Sequence, residues 1–295
     1  MKVSAFTFIR NAIKYDYPIK ESILSILPIV DEYIVCVGRS EDDTLTLIEN
    51  INSPKIKIMH SVWDESLREG GRVLAAETDK ALAAVSPDAD WLFYLQGDEV
   101  VHEQYLDTIK KAMLTYKDDK KIEGLLFHYT HFYGSYQYTG DGRSWYSKEI
   151  RVIRNDKNIQ SWKDAQGFRK KGKKLSVKLI DACIYHYGWV KNPKFQQAKQ
   201  KEFGKWWNDD KWLKKWQELK EKQGDQFRYE ENIDSLSLFT GTHPLVMKQK
   251  VENENWEFEF DLKQKRFKNF RYRLLYYFEK ITGIRPLEYR NYKKI

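Results

Sequence analysis

Residues 91–95, Trp-Leu-Phe-Tyr-Leu, are five consecutive apolar side chains that stop abruptly at Gln96-Gly97-Asp98-Glu99. An apolar run of that length reads as a strand buried on both faces, the environment a parallel sheet offers when helices cover each side. Acid follows without a spacer, so Asp98 is expected at the carboxyl edge of the sheet, where open α/β folds bind their ligands. Gly97 permits close approach, and a carboxylate beside it suits a divalent cation carrying phosphate, because hard cations take oxygen ligands. A helix-capping acid is the plainer alternative.

Upstream, strand and helix patterns alternate. Residues 3–9 read as a strand closed by Arg10-Asn11, residues 19–27 as a helix ended by Pro28, and residues 32–37 as a second strand. Gly38-Arg39-Ser40-Glu41-Asp42-Asp43-Thr44 then opens a helix that Ser40 or Asp42 can cap, with amides able to face an anion. Residues 55–60 make a third strand, and Glu69-Gly70-Gly71-Arg72 leads into a helix with Val73, Leu74, Ala81 and Leu82 on one face. Such repetition predicts βαβ units in a doubly wound sheet. Further strands are expected at 124–130, 150–153 and 177–185, a helix at 104–116, and a mobile loop over the Gly-, Tyr- and Ser-rich residues 131–147. After Pro193 the chain turns helical and aromatic, over 195–223 and 267–281, so a boundary is drawn near residue 190.

The charge balance of +8, from 51 basic and 43 acidic residues, points to an anionic partner: nucleotide diphosphate, nucleic acid or an acidic membrane. No nucleic-acid-binding module is visible, and nucleic acid is not expected as a partner. Cys36 and Cys183 each lie in an apolar run and read as small core residues of a reduced, cytoplasmic protein. Residues 3–9 are too short, and too soon interrupted by Arg10, for a secretory signal, and no run nears the roughly 18 apolar residues of a spanning helix.

Taken in order, Thr7-Phe8-Ile9-Arg10-Asn11, Ser40-Glu41-Asp42-Asp43-Thr44, Asp90-Trp91 leading to Gln96-Gly97-Asp98-Glu99, and Ile184-Tyr185-His186-Tyr187 resemble the family 2 glycosyltransferases over roughly residues 1–190. The resemblance implies an α/β fold: a GT-A-like, doubly wound, mostly parallel sheet with a helical, aromatic-rich C-terminal extension. It implies a nucleotide-sugar-binding catalytic domain over 1–190, with 191–295 serving the acceptor, packing or a membrane surface. The implied activity is metal-dependent transfer of a sugar, with inversion, from a nucleotide diphosphate donor to a glycan or lipid-linked acceptor. Carried over by position, Asp98 and His186 would hold Mn²⁺ or Mg²⁺, and Thr7, Arg10, Gly38, Arg39, Asp42 and Gly97 would meet the nucleotide. Two departures stand out. Gln96 replaces the first acid of the Asp-x-Asp motif, turning a carboxylate contact into an amide contact, and Val37-Gly38, followed by Arg39, replaces the usual acidic pair.

The transfer also needs an Asp or Glu after the metal motif to take the acceptor proton. Asp164, beside Trp162 as a stacking surface for sugar, is the first candidate and Asp141 the second; a solvated loop acid is the plain alternative for both. Arg72 is suited to phosphate, whereas the basic run at 169–174 reads as solvated charge. His102 and Glu103 read as the start of a helix. Trp212 and Trp216, four apart, share a helix face, as do Phe267, Phe270, Leu274, Phe278 and Ile281. Packing is the default for these stripes; peripheral contact of the basic C-terminal helix with the inner face of a membrane is the sharper idea. A nucleotidyltransferase would carry glycine after the first strand, and Ile9-Arg10-Asn11-Ala12-Ile13 has none. A non-catalytic nucleotide- or glycan-binding protein, its site degenerate at Gln96, is the competing function.

Overall fold

The computed structural model describes residues 1–67, 69–208, 210–223 and 226–295; the side chains of residues 69, 216, 217 and 219–223 lie outside that description, Trp216 of the expected aromatic pair among them. The first part of the chain forms β1 (Val3–Ile9), α1 (Ile19–Ile26), β2 (Glu32–Gly38), α2 (Thr44–Glu49), β3 (Ile56–Ser61), α3 (Arg72–Ala83) and β4 (Trp91–Tyr94). β4, β1, β2 and β3 lie side by side, all parallel, since each connection carries the chain back along the sheet through a helix or loop. Every residue of β2 and β4 is buried, as the unbroken apolar run at 91–95 predicts for β4.

Alternation along these strands feeds two cores. Tyr33, Val35 and Val37 face the cluster under α1, while Ile34 and Cys36 face the cluster under α3. Each fully buried large side chain contributes roughly 1.5–3 kcal/mol over its exposed state. Cys36 and Cys183 are both free thiols.

The sheet continues through β5 (Glu99–Val101), α4 (Leu106–Thr115), β6 (Gly124–Tyr133), β7 (Ser135–Gly140) and β8 (Lys148–Arg154). A separate three-stranded sheet is made by β9 (Ile159–Trp162), β10 (Gly167–Lys170) and β11 (Lys173–Lys174). Then comes β12 (Ser176–Trp189), which runs parallel to β6 and antiparallel to β5. β8 is inserted antiparallel between β4 and β6. Of residues 131–147, expected as a loop, 131–140 instead extend β6, turn at Gly134 in the left-handed region (φ 75°) and return as β7, while 141–147 are loop. Their tyrosines are packing residues. Tyr133 and Tyr136 are buried, and the Trp256 indole N–H closes on the Gly134 carbonyl at 2.7 Å.

The remainder is α5 (Pro193–Trp207), α6 (Asp210–Gln223), β13 (Leu236–Leu238), α7 (Lys248–Glu252), α8 (Phe270–Thr282) and β14 (Lys293–Lys294). β13 joins β7 and β14 joins β12, so this segment completes the main sheet at two points. Phe227, Tyr229, Ile233 and Phe260 pack with Tyr133 into a further core, where much of the aromatic content is spent.

Candidate active site

The β4–β5 turn is fixed from beneath by a buried ion pair. Arg151 of β8 donates two hydrogen bonds to Glu99, at 2.7 and 2.6 Å, with both side chains fully buried. Glu99 also accepts from the Gln96 amide N–H and the Tyr129 hydroxyl, at 3.1 and 2.8 Å. A paired charge so fully bonded is costly to break, so the turn is rigid. Arg151 further donates to the Gln166 carbonyl at 3.0 Å, while the Gln96 side-chain amide donates to the Ala165 carbonyl at 3.3 Å. The β9–β10 turn is thereby tied to the rim of the same cleft.

Asp98 projects from the apex of this turn. Its carbonyl accepts from the Tyr187 N–H at 2.8 Å, which brings the side chain against the end of β12. Asp98 Oδ2 lies 3.3 Å from Lys199 Nζ of α5 and 3.8 Å from His186 Nε2. Burial alone would raise the carboxyl pKa, but the Lys199 ammonium, with Lys191 behind it, holds it down at about 2. Lys199 also donates to the Gly188 carbonyl at 2.9 Å, and Lys191 donates to the Tyr15 carbonyl at 2.7 Å. Both ammonium groups lie over the Tyr17 ring. Burial lowers the pKa of each lysine, Lys191 strongly.

A chain of contacts sets the histidine tautomers. His131 Nε2 is 2.8 Å from the Tyr146 carbonyl, which can only accept, so that nitrogen carries the proton. Burial keeps His131 neutral, and its Nδ1 is then an acceptor, 3.1 Å from His186 Nδ1. His186, also depressed by burial, donates from Nδ1 and is left with a bare lone pair on Nε2 facing Asp98. A Cβ at Gly188 would stand 2.6 Å from both Asp98 Oδ2 and His186 Nε2. Two lone-pair donors converging over a glycine would suit a hard divalent cation, which would need further oxygen ligands from elsewhere. Among the described residues no group of three or more His, Cys, Asp or Glu could hold a metal ion by itself.

The other residues singled out from the sequence divide sharply. Arg10, Gln96 and Gly97 line the same cavity as Asp98, about 110 Å³ in volume. Arg10 also reaches Glu65 at 3.5 Å and stacks on Trp63. Gly38 does not line it but makes room for it, since a Cβ there would strike the Trp63 indole at 2.4 Å. Thr7 is buried in β1, its hydroxyl without a protein partner. Asp42 is engaged in the loop: it accepts from the Lys14 N–H at 2.7 Å and from Thr44. Arg39 points outward, and Arg72 is exposed at the start of α3. Asp164, half-buried in the β9–β10 turn, stands against Gly71 with its Cβ 3.0 Å from where a Gly71 Cβ would be, at the rim rather than inside. Trp162 beside it is exposed.

Asp141 does not line this cleft. It accepts from Ser235 and from the Tyr276 hydroxyl at 2.8 Å, and pairs with Lys265 and Lys280 at 3.2 and 3.4 Å. His102 is buried, with its ring nitrogen 2.9 Å from the Thr242 hydroxyl, a structural role.

Sequence reasoning missed Lys191, Lys199, His131, Phe203 and Trp206. Neither lysine belongs to a recognisable motif, and only the fold of α5 across the sheet edge turns Lys199, Phe203 and Trp206 inward. His131 is visible only through register, since it lies beside His186 in the β6–β12 pair.

No family model matches the chain, and no curated protein matches it. Among solved structures it is similar to TarS of S. aureus, with 15% identity and a TM-score of 0.41 over 69% of this chain and 39% of that one. It is also similar to TarS 1–349 in complex with UDP-GlcNAc, at 14% identity and a TM-score of 0.40 over 69% and 66% of the two chains. A third is glucosyl-3-phosphoglycerate synthase of Mycobacterium tuberculosis in complex with Mn²⁺, UDP and glucosyl-3-phosphoglycerate, at 20% identity and 0.30 over 44% of each chain. The chain thus spans well under half of the full TarS length. Likeness at this level carries no statement about chemistry, which rests on the geometry of the cleft.

Proposed function

We propose that the protein is a glycosyltransferase that moves a sugar from a nucleoside diphosphate to an acceptor hydroxyl of a glycan or a lipid-linked glycan, with inversion, aided by Mn²⁺ or Mg²⁺. The observation that carries this reading is the convergence of Asp98 Oδ2 and His186 Nε2 over Gly188, at the carboxyl edge of a parallel sheet and beside the buried Lys199. That set matches the charge of a diphosphate leaving group. A bound divalent ion would supply charge neutralisation there.

The chain's own groups have distinct tasks. Asp98 and His186 would hold the cation, the latter kept in the right tautomer by His131. Lys199 adds positive charge beside Asp98, where the diphosphate would leave. Asp164 takes the acceptor proton as the acceptor oxygen bonds to the anomeric carbon, while the bond from that carbon to the diphosphate breaks and its electron pair departs with the diphosphate. Trp162 offers the acceptor sugar an exposed ring face. The cavity of about 110 Å³ is smaller than the roughly 300 Å³ of a typical small-molecule site, so donor entry requires Phe203 and Trp206 of α5 to swing outward.

A binding protein without turnover is the second reading, favoured by Lys199 already satisfying Asp98. The test joins melting and turnover. Mn²⁺ with uridine or guanosine diphosphate is expected to raise the melting temperature, by mass action on the folded state, and Asp98→Asn to abolish most of that rise. Equal rises in both proteins would remove Asp98 from the donor site. With a panel of nucleotide sugars and glycan acceptors, Asp164→Asn is expected to lower turnover by about 100-fold or more; binding without any release of nucleoside diphosphate supports the second reading instead.

A further inference from the structure

A helix on a protein surface ordinarily turns its apolar stripe inward and its charges outward. α8 does the reverse. Its inner side is held by polar anchors: Tyr276 and Lys280 bind Asp141, and Glu279 accepts from Arg143 and from Arg285, the latter at 3.0 Å. Its outer side carries Phe270, Leu274, Tyr277, Phe278 and Ile281, spaced 4, 3, 1 and 3 apart and so within one stripe. All five are exposed, Phe270 at 71% and Ile281 at 84%. Past the left-handed cap at Gly283 the same apolar character continues in Ile284 and Leu287, at 60% and 72%.

Charge identifies what covers this face. Residues 263–295 hold eleven Lys and Arg against two Glu, a net +9, while residues 1–262 sum to −1. The whole positive excess of the chain is therefore gathered on the segment that exposes the apolar stripe. Lys268, Arg271 and Arg273 are exposed beside it. We propose that α8 and the turn after it form a docking surface for an anionic lipid bilayer, with the helix lying in the interface, its apolar stripe among the acyl chains and its basic residues at the headgroups. Tyr277 and Tyr289 are amphipathic rings suited to that boundary. At 13 residues the helix is about 20 Å long, and among the described residues no helix is long and apolar enough to cross a membrane. α8 lies on the bilayer rather than through it. The inference is independent of the transferase reading.

The test is co-sedimentation of the full chain with vesicles. Phosphatidylglycerol–phosphatidylcholine vesicles are expected to capture the protein at least ten-fold better than phosphatidylcholine alone, with the difference shrinking as salt is raised. Leu274→Glu with Ile281→Glu is expected to lose at least ten-fold in capture; both side chains are exposed, so folding is spared, which an unchanged melting temperature verifies. Arg271→Ala with Arg273→Ala should lose the preference for anionic lipid. Equal capture by neutral vesicles, capture unaffected by the glutamates, or a dimer that the glutamates dissociate while vesicles capture nothing would each overturn the proposal, the last by making the face a contact between two copies of the chain.

Discussion

Asp98 and Asp141 are both partly buried aspartates ringed by lysines, and their surroundings differ. Asp141 is saturated: a serine and a tyrosine hydroxyl and two ammonium groups occupy its two oxygens, and two of these partners, Tyr276 and Lys280, tie α8 to the end of β7. Asp98 has one lysine at 3.3 Å and, at 3.8 Å, a histidine nitrogen whose lone pair has no proton to offer. The difference teaches how to tell a structural carboxylate from a functional one. Asp141 has a donor for each of its oxygens, whereas Asp98 has a single lysine and faces a second acceptor, the arrangement on which the proposed cation site rests.

The sharpest way to break this contrast is turnover. Asp98→Asn is expected to lose on the order of 100-fold, about 3 kcal/mol of transition-state stabilisation, whereas Asp141→Asn keeps turnover per folded molecule within a few-fold. A loss at Asp141 equal to that at Asp98 would erase the distinction. The next largest effect is acid stability. The Asp98 carboxyl sits at about 2 in the folded protein against an ordinary 3.8, so its stabilisation is fully present above the ordinary value and is lost as pH falls from about 4 through about 2. That window is worth about 2 kcal/mol, and a melting curve series on Asp98→Asn should lack that slope. The smallest effect is expected at Asp141→Ala, which should cost about 1–2 kcal/mol in urea unfolding. Lys280 is half-exposed and loses little. A cost near zero would mean that α8 is anchored by other contacts.

Much of the first hundred residues was legible without coordinates. The apolar run at 91–95 reads as a strand with both faces covered, residues 32–37 read as a strand from their β-branched content, and the helical spacing between strands argues for parallel order. The end of the run then gave Asp98 its address, because the carboxyl edge of such a sheet follows from chain direction alone. The loop reading of 131–147 failed where composition stood in for pattern: Gly134 is a hairpin turn, and the tyrosines around it are core residues. Asp164 was reachable as a loop acid, but its neighbourhood with Gln96 through Ala165 was not.

What the sequence decided by itself is whatever depends on neighbours a few residues away: strand, helix, and the acid at a strand end. Tertiary structure alone decided which lysine meets Asp98, which histidine sets the tautomer of His186, and that α8 carries its apolar side outward. Each of those contacts joins residues tens to more than a hundred positions apart, for which periodicity holds no information. A stripe at helical spacing states that a helix has an apolar face, and only packing determines whether that face meets the core or the solvent.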